Sequence, residues 1–250
     1  MKEYTAATYG DRIAARYDRM HPDGRATQAV ANVLAGLAAG GRALELGIGT
    51  GRVALPLAGR GVEVHGIDAS HAMVEKLRAK PGGAGIPVTI GDFAAFQLDG
   101  KFSLIFVVFN AFFGLVTQEA QVHCFRNAAA HLHPGGVFLI EAFVPDPGRF
   151  TRAQSLNVNR IDADQVELDV ARHDPLTQRV QSQHLIFTES GTRLYPVQLR
   201  YAWPSELDLM ARLAGLRLRE RWSDWAGAPF TAASSSHISL YQSDAARPSN

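Results

Sequence analysis

The feature that most constrains the fold is an alternation of apolar runs and helix-like patterns that begins near Arg42. Helix-like stretches follow the first, second and fourth apolar runs. Ser70 is a predicted N-cap of the second helix, and the sequence His133-Pro134-Gly135-Gly136 is expected to end the third. Apolar strands that alternate with helices predict an α/β fold, whose parallel sheet is covered on both faces. The predicted strands are residues 43–46, 62–67, 87–90, 104–109 and 137–143.

Residues 166–203 break this alternation, because they contain no helix pattern. Turn signals at Asp174-Pro175 and Ser190-Gly191 divide them into two or three β-rich segments, which predicts an antiparallel meander. A helix pattern and two strand patterns then return at 206–214, 216–222 and 237–242. The meander is therefore predicted to be inserted in the α/β unit, where insertions carry substrate specificity.

We accordingly expect residues 1–250 to form a single domain. The expected parts are N-terminal cap helices (1–40), an α/β core (41–144 and 204–243) and a β-rich lid (145–203).

Composition excludes several classes of protein. With 46% hydrophobic residues and a net charge of +1, the 250 residues can form a buried core. The absence of a dense Lys/Arg cluster argues against a dedicated nucleic-acid binder. The single cysteine, Cys124, cannot form an internal disulfide or a multi-cysteine metal site. No apolar run reaches the length of a membrane span and the start has no apolar signal segment, so we expect a soluble cytoplasmic protein.

Three alternate glycines, Gly47, Gly49 and Gly51, lie where the first strand turns into a helix. The dinucleotide fingerprint G-x-G-x-x-G/A fails when it starts at Gly47, because position 52 is arginine. It matches weakly from Gly49, through Gly51 and Ala54. The loop alone therefore leaves open whether the ligand is a dinucleotide.

Glu45 lies two residues before the first glycine and is predicted to be buried. A buried carboxylate needs a partner because desolvation of an unpaired charge is costly. A pyrophosphate gains nothing from this charge, whereas a ligand that carries an ammonium and a sulfonium does. The alternative is an ion pair with Arg42 or Arg52.

Two further carboxylates follow predicted strands. Asp68 ends the second strand, where it can accept both hydroxyls of a ribose. Its alternative role is an exposed N-cap of the next helix. Asp92 and Phe93 follow the third strand, where a carboxylate can meet the amino group of a base while the ring packs against it.

These motifs, together with residues 132–136 (Leu-His-Pro-Gly-Gly), resemble the ordered motifs of class I S-adenosylmethionine-dependent methyltransferases. The resemblance runs from about Tyr9 to Gln242 and is most specific between Ala43 and Phe143. It implies a Rossmann-like seven-stranded sheet with a reversed last strand, which residues 237–242 are expected to supply. By architecture more than by motif, the chain is similar to small-molecule methyltransferases such as sugar-amine N-methyltransferases.

The resemblance also implies which residues contact S-adenosylmethionine. The glycines would line its methionine end, Asp68 would bind the ribose, and four side chains would frame the adenine: Ala69, Met73, Asp92 and Phe93. It further suggests that an N-terminal segment closes over the cofactor with Tyr9 or Tyr17 near the methyl group; a surface helix packed on the core is the alternative. The expected cofactor contacts are Tyr9, Tyr17, Glu45, Gly47, Gly49, Gly51, Asp68, Ala69, Met73, Asp92, Phe93 and Phe109.

The acceptor side lacks the diagnostic motifs of several methyltransferase types. Asn110 follows the fourth strand without the Pro-Pro-Tyr sequence of enzymes that methylate adenine amines. Cys124 follows a histidine within a helix pattern, so we expect it to be a buried apolar side chain rather than a nucleophile. No adjacent Asp pair of the catechol type appears at these strand ends, so we predict no metal.

Direct displacement on a sulfonium then requires only alignment of the reactants and exclusion of water. An amine acceptor need only be neutral, whereas a hydroxyl usually needs a base. His21, His184 and His237 are in segments that could border the pocket, but a structural role is more common for each. We therefore name no base, and the side chains expected to line the acceptor pocket are Tyr17, Asn110, Phe113, Tyr195 and Arg200. For Tyr195 and Arg200 the alternative role is ordinary sheet packing, and for Phe113 it is packing in the core.

The sequence predicts S-adenosylmethionine-dependent methyl transfer to a nitrogen or oxygen, less readily a carbon, of a small metabolite. An NAD(P)-dependent oxidoreductase is one alternative, although no Tyr-x-x-x-Lys pair occurs. A non-catalytic S-adenosylmethionine-binding protein is another. We expect a small-molecule acceptor as the partner, neither nucleic acid nor membrane, and a monomer or homodimer.

Overall fold

The computed structural model describes residues 4–22 and 24–243; residues 1–3, 23 and 244–250 of the expected domain lie outside this description. Its strands are β1 (Ala43–Leu46), β2 (Val64–Asp68), β3 (Val88–Ile90), β4 (Phe102–Val107), β5 (Leu132–Phe143), β6 (Gln154–Ile161), β7 (Gln165–Asp174), β8 (Arg179–Thr188), β9 (Gly191–Arg200), β10 (Leu216–Trp222) and β11 (Ser236–Ser243). Its helices are α1 (Thr8–Met20), α2 (Arg25–Ala38), α3 (Ala54–Ala58), α4 (His71–Arg78), α5 (Gln118–His131) and α6 (Pro204–Leu213).

Seven strands form the main sheet in the order β3-β2-β1-β4-β5-β11-β10. β1 to β5 are parallel, and β11 is antiparallel to both of its neighbours, β5 and β10. This arrangement confirms the predicted seven-stranded sheet with a reversed last strand. The carboxyl ends of β1, β2 and β4 lie at one edge, which is the edge where α/β sheets bind ligands.

The alternation of side chains explains why this sheet is covered on both faces. In β4, Leu104 and Phe106 belong to the core cluster that includes α2 and α3, whereas Ile105 and Val107 belong to the cluster that includes α5 and α6. All four are fully buried. Helix packing on both faces therefore requires a strand that is apolar at consecutive positions, as the sequence indicates.

The second sheet consists of β6 to β9, consecutive antiparallel strands inserted between β5 and α6. The predicted turns near Asp174 and Gly191 are confirmed. The predicted number of strands, two or three beginning at residue 166, was too low, because the sheet has a fourth strand, β6. This strand escaped prediction because Leu156, Val158 and Ile161 are 56–71% exposed and form no buried apolar run.

Two local predictions are also confirmed. The hydroxyl of Ser70 accepts a 3.2 Å hydrogen bond from the Met73 amide, so Ser70 caps α4. The helix pattern that stops before His133 ends at His131, where β5 begins at once. Within residues 4–22 and 24–243, no helix is both long and apolar enough to span a membrane.

Candidate active site

The glycine loop joins β1 to α3 and adopts the left-handed backbone region at φ +77° for Gly47, +54° for Gly49 and +78° for Gly51. L side chains rarely adopt this conformation, which explains the three glycines. A Cβ at Gly51 would lie 2.3 Å from Cδ1 of Leu77, so packing beneath the loop also requires this glycine. A Cβ at Gly47 or Gly49 would have no contact closer than 3.4 Å. The upper part of the loop is therefore open to a ligand.

Glu45 lies beneath this loop and is 3% exposed. Burial raises the pKa of its carboxyl well above the ordinary 4.5; the neighbouring Asp68 raises it further, and the Ala54 amide opposes the shift through a hydrogen bond. Its Oε2 atom is buried without a hydrogen-bond partner. A buried carboxylate oxygen without a partner is well suited to a cationic group of a ligand.

The alternative ion pair of Glu45 is wrong for both arginines. The Arg42 guanidinium lies 3.0 Å from the carboxylate of Glu63. The Arg52 guanidinium lies over the ring of Phe109, 4.1 Å from its centroid. Neither side chain neutralises Glu45, so the charge is available to a ligand.

Asp68 ends β2 and is bound to the glycine loop. Its two carboxylate oxygens accept hydrogen bonds from the Gly49 amide at 2.7 Å and the Ser70 amide at 2.8 Å. Burial raises its pKa, which these amides oppose. The alternative role as an exposed N-cap is wrong, because Ser70 caps the helix. Each oxygen retains a lone pair that can accept a hydroxyl.

The four side chains expected around the adenine lie in different surroundings. Asp92 is exposed and accepts a 2.8 Å hydrogen bond from the Ala94 amide. Phe93 lies near Gly47, with its ring 3.7 Å from the Cβ position of that glycine. Ala69 is half-buried, and Met73 is buried among side chains of α1 and the second sheet. Their contact with a ligand stays a prediction.

Helix α1 is attached to these loops by polar contacts that the sequence did not reveal. Asp18 accepts a 2.6 Å hydrogen bond from Thr50 and lies 2.9 Å from the Lys80 ammonium. Asp11 accepts a 2.6 Å hydrogen bond from Ser70. The two aspartates are about two turns apart and therefore lie on one face of the helix, a spacing that could have indicated a common contact surface.

Tyr17 of α1 reaches the end of the glycine loop. Burial raises the pKa of its hydroxyl, and a hydrogen bond with Arg52 opposes that shift. The ring of His21 lies 4.7 Å from the Tyr17 ring, and burial followed by the charge of Arg52 lowers the pKa of this histidine. The Nε atom of Arg52 is buried without a partner. Sequence reasoning considered Arg52 only as a partner of Glu45 and thus missed a second ligand-binding candidate.

The chain after β4 is held in a strained turn at the same sheet edge. Phe109 and Asn110 have φ of +53° and +64°, which costs about 1–2 kcal/mol per residue. Glu141 holds this turn, since its carboxylate accepts 2.9 Å hydrogen bonds from the Phe109 amide and the Trp225 indole. The side chain of Asn110 accepts a 2.7 Å hydrogen bond from the Phe143 amide. This predicted pocket residue thus has a backbone partner that fixes its orientation.

The second sheet packs against α1 and α4 through Ile186 and Tyr195, which form a buried cluster with Ile13 and Met73. Tyr9 packs against this cluster. Burial raises the pKa of Tyr9 to about 12, and the nearby Tyr17, Tyr4 and Asp169 raise it as well. Tyr9 therefore keeps its proton at neutral pH. The structure thus brings three predicted site residues together, because Tyr195 belongs to this cluster and both Tyr9 and Tyr17 pack against it.

Two other acceptor-pocket candidates have partners within the protein. Phe113 is fully buried and packs edge-on against Phe112 and Phe143. Arg200 is 5% exposed and lies 2.7 Å from the carboxylate of Glu206. Neither side chain belongs to the buried cluster that contains Tyr195. Their contact with an acceptor stays a prediction.

The remaining candidate residues are distributed over the fold. His184 lies in β8, 2.8 Å from the carboxylate of Asp169. His237 in β11 is fully buried, and burial lowers its pKa to about 4. Cys124 is also buried, which raises the pKa of its thiol, as expected for a packing residue. In the described residues, no group of three His, Cys, Asp or Glu side chains is arranged to hold a metal ion.

Known proteins share both the sequence motifs and this architecture. Residues 43–136 match the family model described as a methyltransferase domain. The cypemycin N-terminal methyltransferase of Streptomyces sp is 30% identical over 200 residues, which cover 76% of this chain and 78% of that protein. The CcbJ methyltransferase from Streptomyces caelestis is 40% identical, with a TM-score of 0.90 over 96% of this chain and 99% of that chain.

An S-adenosylmethionine-bound amino pentose methyltransferase from Micromonospora echinaspora shares the fold at 22% identity, with a TM-score of 0.64 over 91% of this chain and 94% of that chain. The sheet order, the open glycine loop and the unpartnered Oε2 atom of Glu45 fit S-adenosylmethionine as the cosubstrate. The chain therefore belongs to the class I S-adenosylmethionine-dependent methyltransferases and is an enzyme that uses S-adenosylmethionine as its methyl donor.

Proposed function

We propose that the enzyme transfers the methyl group to an amine nitrogen of a small metabolite, by direct displacement and without a metal ion. The observation that carries this proposal is the surface that the second sheet presents to α1. There Asp169 and Tyr195 lie close to Tyr9. Carboxylates and aromatic faces attract cations, and amines are largely cationic in water. The name of the cypemycin N-terminal methyltransferase places its reaction at a peptide N-terminus, which is also an amine.

The donor would be held by residues of the glycine loop and the adjoining strand ends. The sulfonium supplies an activated methyl group. Glu45 offers a buried negative charge to the cationic groups of the donor, and the amides at Gly47 and Gly49 allow a close approach. Asp68 is suited to the ribose hydroxyls, and Arg52, with its unpartnered Nε, to the donor carboxylate. Opposite charges at the two ends fix the direction of binding.

The acceptor would enter between α1 and the second sheet, which we propose acts as a lid. Ile186 and Tyr195 cover this side by packing against α1. Because the methyl group is already activated, the contribution of the protein is to align the nitrogen, the methyl group and the sulfur and to exclude water. The left-handed turn at Phe109 and Asn110, held by Glu141, is suited to a rigid wall of the pocket.

The proposal is tested by incubating the protein with S-adenosylmethionine and a panel of amino sugars, peptide amines and matching hydroxyl compounds. Mass spectrometry should show one added methyl group on nitrogen in the amine compounds. Addition of EDTA should leave the rate unchanged. Methylation confined to the hydroxyl compounds would contradict the choice of nitrogen, and loss of activity in EDTA would contradict a metal-independent reaction.

A further inference from the structure

We propose that His184 is the base that removes the proton from the acceptor amine. This role rests on the proposed N-methylation, because only an amine that has lost its extra proton has a lone pair for displacement. Asp169 would act as the positioning residue that fixes the imidazole. The proposal is carried by the geometry of one face of the second sheet.

The cross-strand register places His184 between Asp169 on β7 and Tyr195 on β9. Its Nδ1 atom lies 2.8 Å from Oδ1 of Asp169. Asn159 donates a 2.6 Å hydrogen bond to the other oxygen of this carboxylate and so fixes its orientation. A neutral imidazole that donates from Nδ1 carries its free lone pair on Nε2.

This Nε2 atom is buried and has no hydrogen-bond partner. The carboxylate of Glu167 lies 3.6 Å away, too far for a hydrogen bond but close enough to stabilise a positive charge. A buried polar atom without a partner is costly in a protein that offers it no ligand. A donor group such as an ammonium would satisfy Nε2, and the resulting imidazolium would lie between two carboxylates.

His184 is also on the correct side of its sheet. Side chains two positions apart on a strand share a face, so His184 lies on the same face as Ile186, which packs against Ile13 of α1. Tyr9 packs against the same cluster, and both Asp169 and Tyr17 are close enough to raise its pKa. His184 therefore lies on the face of the second sheet that packs against α1. This helix is in turn bound to the glycine loop through the hydrogen bond between Asp18 and Thr50.

Three neighbouring elements, β7, β9 and α1, carry the titratable groups that surround the imidazole of His184. They are Asp169 and Glu167 from β7, Tyr195 from β9 and, through Asp169, Tyr9 from α1. Tyr9 stays neutral because burial raises its pKa to about 12.

The step balances without a further reactant. An N–H bond of the acceptor ammonium breaks and its proton moves to Nε2 of His184. The nitrogen lone pair then forms a bond to the methyl carbon, while the carbon–sulfur bond breaks and its electron pair stays on sulfur. General base catalysis of this kind contributes about 10²–10⁴-fold to a rate.

The test compares wild type with His184→Gln, whose side-chain amide is polar but cannot take up a proton. The acceptors are an amine that the panel identifies and its β,β-difluorinated analogue, assayed at a pH at which the analogue is neutral and the parent amine is cationic. We expect kcat to fall about 100-fold for the cationic amine, with little change in KM, and only slightly for the fluorinated amine. The control is His133→Gln, at an exposed position at the start of β5. Equal losses for both amines would overturn the proposal.

A second readout requires no acceptor. Nitrogen-15 NMR of the histidines, with the S-adenosylhomocysteine complex and His184→Gln as the assignment reference, reports which ring nitrogen carries the proton. We expect a proton on Nδ1 and none on Nε2. A proton on Nε2 at neutral pH would overturn the proposal even if no amine in the panel is methylated. Failure of the panel alone would instead contradict the proposed N-methylation.

Discussion

Thr50 in the glycine loop donates a 2.6 Å hydrogen bond to the carboxylate of Asp18 in α1. The same aspartate lies 2.9 Å from Lys80, whose ammonium also donates a 2.8 Å hydrogen bond to the Thr50 carbonyl. Three residues from separate parts of the chain thus form one polar cluster. The position of α1 is therefore linked to the conformation of the glycine loop.

The first prediction follows from this link. Thr50→Val removes the hydroxyl and leaves Asp18 with Lys80 alone, so α1 should lie over the loop for a smaller fraction of the time. A hydrogen bond to a charged group contributes about 1.5 kcal/mol or more, so the Kd for S-adenosylmethionine should rise about tenfold. Calorimetric titration measures this change. The exposed Thr192→Val is the matched control, and an unchanged Kd in Thr50→Val would show that α1 does not contribute to donor binding.

The second prediction concerns Glu45. Its folded-state pKa is raised above the ordinary 4.5, so the ligand-free protein should lose stability as the pH rises from about 4.5 through the raised value. Glu45→Gln removes this loss and should increase the free energy of unfolding at neutral pH. The same change should weaken S-adenosylmethionine binding more than tenfold, because the donor loses its buried counter-charge. Denaturant titration and calorimetry measure the two effects.

Glu63→Gln is the control for Glu45→Gln, because Glu63 is an exposed glutamate whose carboxylate lies beside Arg42. It should change neither donor affinity nor the pH dependence by a comparable amount. A Glu45→Gln protein that is less stable at neutral pH yet binds the donor normally would contradict the assigned role.

The third prediction concerns acid sensitivity. His237 is buried and its pKa falls from 6.5 to about 4, so the folded state disfavours its protonation. The corresponding stability is present above pH 6.5 and is lost as the pH falls towards 4, by about 2–3 kcal/mol between pH 7 and pH 4.5. In His237→Leu, urea denaturation should show a loss smaller by this amount. The exposed His123→Leu should retain the wild-type loss.

The fourth prediction assigns a structural role to Arg200. This arginine forms a buried ion pair with Glu206 and a hydrogen bond with Gln121, which connect β9 to α6 and α5. Arg200→Met should lower the free energy of unfolding by about 3 kcal/mol, because Glu206 loses its cationic partner and keeps only the neutral donors Gln118 and Gln178. The double variant with Glu206→Met should recover most of the loss. Unchanged stability of Arg200→Met would indicate that the pair contributes little and would favour a role in acceptor binding.

The sheet and its glycine loop could be predicted because their signals are local. The alternation of apolar runs with helix patterns predicted the main sheet, and the family resemblance predicts Gly47 and Asp68 as donor contacts. Family membership also replaces the nicotinamide-dependent alternative that Gly49, Gly51 and Ala54 left open.

The other parts of the site depend on contacts between distant parts of the chain. Asp18 and Thr50 are 32 residues apart, and His184 and Asp169 are paired by a register that no local pattern encodes. Arg52 occupies a position at which the sequence suggested an ion pair with Glu45, and only the packing of Phe109 shows its different orientation. Strand β6 was missed because its apolar side chains are exposed, which removes the usual signal.

The position of β11 between β5 and β10 has a consequence for synthesis of the protein. β5 is rich in fully buried apolar residues, among them Phe138, Leu139 and Ile140. On one side it pairs with residues 236–243, which the ribosome makes about a hundred residues later. Until then β5 is an unpaired apolar edge, the kind of strand that promotes aggregation. The nascent chain therefore most needs protection by a chaperone in the interval between the synthesis of β5 and the synthesis of β11.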